Sequence, residues 1–308
     1  LITVHRTKIF FCTGGSKIYR KGFLLIVLFI TISVLNNCAS LNIYGGHPIA
    51  ADSINCDRGS VCADIRTGKY YINVNGTKRE FILTLPEDYD NSKSYPLIFG
   101  WHGLGLSAFS VASSGYSGIL KASENQAIFI AGQGLPTVHP TMGIQSGWDN
   151  RNDRDVAFVW TLMNWAESNM NIDESRIFSA GGSYGAMFSN LLACRLGNKI
   201  RAIASMSGSF WQVGIENPYA QCDRKKVAAW FSHGINDPYV LYETGEFVRD
   251  YFIRVNECSS SYTKITPRGC VRYNDCATGY PVVWCKVFSG HRSPGYAGKE
   301  IWEFFSQF

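Results

Sequence analysis

Paired C-x-x-C spacings are missing from this 308-residue chain, although it holds ten cysteines. A structural zinc site of the ribbon or finger kind needs such pairs, so the cysteines are not read as metal ligands. A run of about 20 apolar residues, the length a membrane-spanning helix requires, is also missing. The longest apolar stretch is Phe23–Leu35. No Ser/Pro-rich linker, low-complexity tract or internal repeat occurs, which argues against an appended binding module. A real surplus of positive charge is lacking too. The 29 Lys and Arg exceed the 24 Asp and Glu, but five of the basic residues (Arg6, Lys8, Lys17, Arg20, Lys21) lie in the first forty positions, which hold no acidic residue. The remaining 24 cations face 24 anions, and the case for nucleic-acid binding disappears with the leader.

Residues 1–40 read as a secretory leader: a basic region, a short apolar core, and small residues at Ala39 and Ser40. Residues 41–308 then form a single catalytic-sized domain that is exported and not held at a membrane. Eight cysteines remain in it, and an even number in an exported chain favours disulfides. The layout suggests Cys194–Cys222, tying a helix to a following loop, and Cys258–Cys276, closing a loop before a late strand. Asn75-Gly76-Thr77 is a sequon at a hairpin tip, readable either as a glycan acceptor or as simple Asn-Gly turn chemistry.

Gly181-Gly182-Ser183-Tyr184-Gly185 stands between the apolar run Arg176–Ala180 and a helix-like stretch reaching Leu196. A G-x-S-x-G match in a strand–turn–helix setting presents a serine hydroxyl on a strained corner, with the next backbone N–H, that of Tyr184, at a helix N-terminus. A serine nucleophile needs a base and an acid to orient it, in the order serine, acid, histidine for this arrangement. The buried strand Val227-Ala-Ala-Trp230-Phe231-Ser232 ends in a loop holding Asp237. The strand Tyr280–Phe288 opens into Ser289-Gly290-His291. Ser183, Asp237 and His291 thus all follow strand ends that share one sheet edge. An Asp before Pro often only starts a turn. His102 and His233, each in a His-Gly step, read as buried rings bonded to backbone; His47 and His139 fall in irregular segments. Only His291 follows both partners. Upstream, Tyr95–Trp101 is an apolar strand followed by His102-Gly103-Leu104-Gly105, whose backbone makes Leu104 a second oxyanion donor beside Tyr184. Trp148, Trp211, Trp230 and Tyr184 are candidates for an aromatic acyl pocket.

Alternating short strands and helices predict an α/β fold with a mainly parallel central sheet and helices on both faces. Lys69–Val74 and Lys78–Leu85 are read as an N-terminal β-hairpin, Asp155–Asn169 and Leu241–Asn256 as helices, and Tyr296–Phe308 as a closing helix.

Several separated segments together resemble the fungal feruloyl esterases of carbohydrate esterase family 1, which are related to polyhydroxybutyrate depolymerase-like esterases. They are Val74–Arg79, Leu85–Asp90, Leu97–Gly105, Gly147-Trp148, Asp155–Phe158, Gly182–Gly185, Ser207-Gly208, His233-Gly234 with Asp237, Gly279–Trp284 and Gly290-His291. The resemblance implies an α/β-hydrolase fold, no metal or cofactor, and hydrolysis of an ester on plant cell-wall polysaccharide, with ferulate on arabinoxylan the usual substrate. By matching position it makes Ser183 the nucleophile, Asp237 the acid partner and His291 the base. The chain departs from the family pattern at Gly182, where a bulky residue is common, and at Ala186 and Ser289, where glycine is common. Acetylxylan or a hydroxyalkanoate polymer is the neighbouring substrate expectation. A silent binding protein of the same fold is the expectation of another class. A monomer is expected.

Overall fold

The computed structural model describes residues 54–55, 65–210 and 215–308, all within one compact unit, Leu41–Phe308. The leader, Cys56, Cys62 and Trp211 lie outside the described residues. Thirteen strands occur among the described residues: β1 (Ile54–Asn55), β2 (Gly68–Val74), β3 (Thr77–Thr84), β4 (Tyr95–Trp101), β5 (Ile128–Gly132), β6 (Leu135–His139), β7 (Gly143–Gly147), β8 (Ile172–Gly182), β9 (Ala202–Met206), β10 (Ala228–Gly234), β11 (Tyr262–Ile265), β12 (Cys270–Tyr273) and β13 (Val282–Val287). The helices are α1 (Ala108–Ser113), α2 (Ile119–Ala122), α3 (Arg154–Asn169), α4 (Tyr184–Arg195), α5 (Pro218–Gln221), α6 (Tyr242–Val255) and α7 (Ala297–Phe305).

Eleven strands form one sheet in the order β1-β2-β3-β5-β4-β8-β9-β10-β13-β12-β11. From β5 to β13 neighbouring strands run parallel, while β2–β3 and β11–β12 add antiparallel ends. This is the α/β-hydrolase arrangement that the resemblance implies. The chemistry of the central strands explains it: all seven residues of β4 and all seven of β10 are buried, as a strand covered by helices on both faces requires. Alternate side chains divide between two cores. Leu97, Phe99 and Trp101 face the side that holds α3, α4 and α6; Ile98 faces the side of α1, α2 and α7. The closing helix docks through Ile301, Phe304 and Phe305, with Phe305 stacked on Phe178 at 4.5 Å. Burying each such side chain contributes about 1.5–3 kcal/mol.

The N-terminal hairpin turns at Asn75 and Gly76, both at positive φ, with Gly76 N–H donating to Asn73 Oδ1. This is the Asn-Gly turn chemistry, and it leaves Asn75 exposed. Two sequence segments quoted above meet in the core. Arg79 of β3 donates to Asp155 at the start of α3 at 2.8 Å, both side chains essentially out of solvent, and its guanidinium lies over Phe158. Asp155 also accepts the Asn150 N–H. Burial pushes the Arg79 pKa down while Asp155 opposes that.

Three disulfides occur among the described residues: Cys194–Cys222, Cys258–Cys276 and Cys270–Cys285. The first two are the expected pairs. The third joins directly opposed residues of β12 and β13. The segment around His139, read as irregular, instead forms β6 of a separate two-stranded hairpin with β7. Among the described residues no helix is long and apolar enough to cross a membrane.

Candidate active site

Ser183 is the single residue between β8 and α4, at φ 56° and ψ −123°, a region that L side chains rarely occupy. Its N–H donates to Met206 O at the end of β9 at 2.8 Å, and its carbonyl accepts from Met187 N–H. Glycine is required on the helix side of the corner. A Cβ on Gly185 would collide with the Trp101 carbonyl, and one on Gly181 with the backbone of Gly185. The corner therefore sits tight against the end of β4, with its side chain facing a cleft of about 300 Å³ that His291 also lines.

Asp237 lies three residues past the end of β10, its side chain fully buried. Its two carboxylate oxygens are divided between tasks. Oδ1 accepts the N–H groups of Tyr239 and Val240, each at 2.9 Å, and Oδ2 accepts from His291 Nδ1 at 2.6 Å. The Asp-Pro turn and the histidine partnership are thus one structure. Burial alone raises this carboxyl's pKa. The Val240 N–H, His291 and the Tyr239 N–H together outweigh it and hold the pKa below the usual carboxylate value. The loops carrying the two residues are bonded to each other, Ile235 N–H to Val287 O and Asn236 N–H to Ser289 O. With Nδ1–H committed to Asp237, the Nε2 of His291 is the nitrogen left to accept a proton.

The competing histidines are committed elsewhere. His233 Nε2 bonds the Val240 carbonyl at 2.9 Å, and its 3.5 Å approach to Asp237 is secondary. His102 accepts the Gly134 N–H at Nε2 (2.9 Å), which fixes the tautomer so that Nδ1–H donates to Gly103 O at 2.8 Å. Gly103 O also accepts the Leu106 N–H. In a trans peptide the N–H points away from the C=O, so these bonds turn the Leu104 N–H to the opposite side from the His102 ring. Gly103 itself abuts Ser183, a Cβ there coming within 3.6 Å of the serine Cβ.

Of the predicted aromatic pocket, Trp148, Trp230 and Tyr184 do not line the cleft, and Trp211 lies outside the described residues. Trp148 is fully buried behind the loop 102–106, stacked on Phe188 at 4.5 Å, and its indole N–H donates to His102 O. Fully buried and with Phe188 stacked against it, the indole presents no face to the cleft. The Tyr184 ring packs over Gly147, where a Cβ would strike it, and burial pushes its phenol up to about 12, with Asp149 and Asp155 adding to the shift. Trp230 is also core. The apolar part of the cleft wall is mainly aliphatic, at Leu106, Val111 and Met206, with Trp101 beside them. The missing side chain at Gly182 leaves the floor open toward Ser293, whose Oγ lies 3.7 Å from where a Cβ would stand.

Sequence reasoning missed the β6–β7 hairpin as a support for this loop. Gly105 N–H donates to Ser146 O, Ser146 Oγ donates to Leu106 O, and Gln133 accepts the Ala108 N–H. The Gly147-Trp148 motif was the available signal: its glycine clears the Tyr184 ring and its tryptophan holds His102.

The neutral, buried His102 predicts a pH effect. Desolvation lowers its pKa from 6.5 to about 4, the bond to Gly103 opposing. Between those values the unfolded chain takes up a proton that the fold refuses, so stability is full above pH 6.5 and falls toward pH 4. The loss is on the order of 3 kcal/mol. Urea unfolding at pH 7.5 and 4.5 should show the decline, and His102→Gln should make it shallower. An equal slope in both proteins would contradict it.

No family model matches the chain. Feruloyl esterase D of Neurospora crassa is 31% identical over 283 residues, covering 84% of this chain and 91% of that protein. Feruloyl esterase C of Emericella nidulans is 30% identical over 247 residues, covering 75% and 84%. Among solved structures, an acetyl xylan esterase from Aspergillus awamori matches with a TM-score of 0.61 at 15% identity, covering 78% of this chain and 99% of that one. A CE1 ferulic acid esterase from Anaeromyces mucronatus, solved with ferulic acid, matches with a TM-score of 0.52 at 16% identity, covering 78% and 89%. The folds agree with the sheet described above, and the sequence identity over most of both chains places this protein in the feruloyl esterase family.

Proposed function

We propose that this chain is a secreted, monomeric serine esterase that releases ferulate from arabinoxylan, its residues 1–40 being a leader removed on export. Ser183 Oγ attacks the ester carbonyl carbon while His291 Nε2 takes the hydroxyl proton. The carbonyl oxygen becomes an oxyanion held by the N–H groups of Leu104 and Tyr184, the latter at the positive end of α4. Collapse breaks the C–O bond to the sugar, whose oxygen receives the proton from His291, and leaves feruloyl-Ser183. Water, deprotonated by His291, then attacks the acyl carbon; ferulate departs and Ser183 recovers its proton. Asp237 holds the imidazole in the Nδ1–H tautomer and stabilises the cation formed in each half. The disulfides and the export-type leader support an oxidising, extracellular setting.

The 2.6 Å bond between His291 and Asp237, made beside the Ser183 corner, is the observation that carries this reading. Acetylated xylan is the second reading, favoured by the aliphatic cleft wall. Cleft size argues for the aromatic acyl group: about 300 Å³ reaches the ~300–1,000 Å³ range of ligand pockets, far more than an acetyl group fills. Assays with methyl ferulate, acetylated xylan and a short hydroxyalkanoate ester decide among them. Methyl ferulate should give the highest kcat/KM. Brisk deacetylation with methyl ferulate untouched would remove the feruloyl assignment, and no cleavage of any ester would leave a binding protein.

A further inference from the structure

β11 and β12 continue the sheet past β13, with Thr263 opposite Arg272 and Ile265 opposite Cys270. Opposed residues share a face, and this face, with the loop 275–281 that returns to β13, bounds an open groove of about 670 Å³. It is larger than the catalytic cleft of about 300 Å³. It is also distant from it. β12 runs antiparallel to β13, so the loop after Tyr273 sits where the parallel strands begin, and Ser183, Asp237 and His291 sit where they end.

The groove's chemistry matches a polyol. Asp275 offers a carboxylate and Thr278 a hydroxyl, both exposed and neither engaged in a hydrogen bond or ion pair among the described residues. Arg272, also exposed, spends its donors on one acceptor, Gln307 Oε1, at 3.3 Å, which leaves others of its five N–H groups for a ligand. Ile265 and Ala277, both half-buried, supply a small apolar surface. Donors, acceptors and a narrow apolar strip suit a sugar ring, with hydroxyls at its rim and C–H groups on its face. One cation beside one anion gives no pull on a polyanion such as nucleic acid. The groove is braced as well: Cys270–Cys285 locks β12 to β13 and Cys258–Cys276 ties its loop to the end of α6. A rigid site loses less entropy on binding.

We propose that this groove is a second, non-catalytic binding site for an uncharged polysaccharide chain, the backbone of the polymer whose esters the cleft removes. The choice of polymer rests on the feruloyl esterase reading. Holding one stretch of polymer raises the effective concentration of neighbouring esters at Ser183.

Affinity electrophoresis in gels containing saponified arabinoxylan tests the site, because that polymer carries no ester for the cleft. The variants are Arg272→Ala with Thr278→Ala, and separately Asp275→Gly, a glycine that suits the left-handed φ of 52° there. Wild type should be retarded and both variants should weaken the apparent affinity about tenfold. Their methyl ferulate turnover should stay at the wild-type level, which also shows that they fold. Equal retardation of variants and wild type, or none of wild type, overturns the groove. If wild type is retarded but cleaves no methyl ferulate, the groove stands and the esterase reading falls.

Discussion

Ser183→Ala is expected to lower kcat/KM for methyl ferulate by about 10⁵–10⁶-fold while leaving the unfolding midpoint at or above that of the native protein. The size follows from the mechanism: without Oγ no acyl-enzyme forms, and His291 and Asp237 have no proton to move. The N–H of residue 183 still bonds Met206 O in the variant, so the corner keeps its anchor. Stopped assays of ferulate release and a serine-directed phosphonate read the result together. The phosphonate should label wild type at Ser183 and leave the variant unmodified. A variant that retains more than a few per cent of activity would move the nucleophile elsewhere.

Asp237→Asn should cost about 10⁴-fold in kcat with little change in the fold. The amide oxygen can still accept the Tyr239 and Val240 N–H groups, so the turn survives. The amide NH₂ then faces His291 and favours the opposite tautomer, which puts the proton on Nε2 where the base needs a lone pair. Asp237→Ala should lose comparable activity and, with the turn unsupported, stability as well. The comparison separates the two carboxylate oxygens. If Asp237→Asn lost less than tenfold, His291 would have to be oriented by another group, and His233, 3.5 Å from the same oxygen, would be the first to examine.

Much of this arrangement was legible because its signals are local or ordered along the chain. A fully apolar run such as Leu97–Trp101 has few options besides a covered strand, and serine, aspartate and histidine each follow such a run. Histidines 102 and 233 could be set aside from their His-Gly steps, and their rings do bond backbone. What failed was anything decided by which way a ring turns. Tyr184 and Trp148 lie beside catalytic motifs in sequence, yet both rings face inward, since each has a polar atom that finds its partner in the core. The β6–β7 hairpin gave no alternating pattern, because Pro136, Gly143 and Gly147 interrupt it and its bonds to Gly105 and Leu106 come from elsewhere in the chain. Cys270–Cys285 was equally hidden. Its register depends on a four-residue strand too short to announce itself.

The backbone at Ser183 carries a cost of about 1–3 kcal/mol, because glycine alone adopts its dihedrals freely. Selection for a stable fold and selection for hydrolysis therefore pull this one position in opposite directions. A descendant of this chain freed from the need to cleave esters would gain stability by drifting to glycine there, with no compensating change anywhere else. On the proposed mechanism, continued ester hydrolysis is the requirement that would hold a serine there against that incentive.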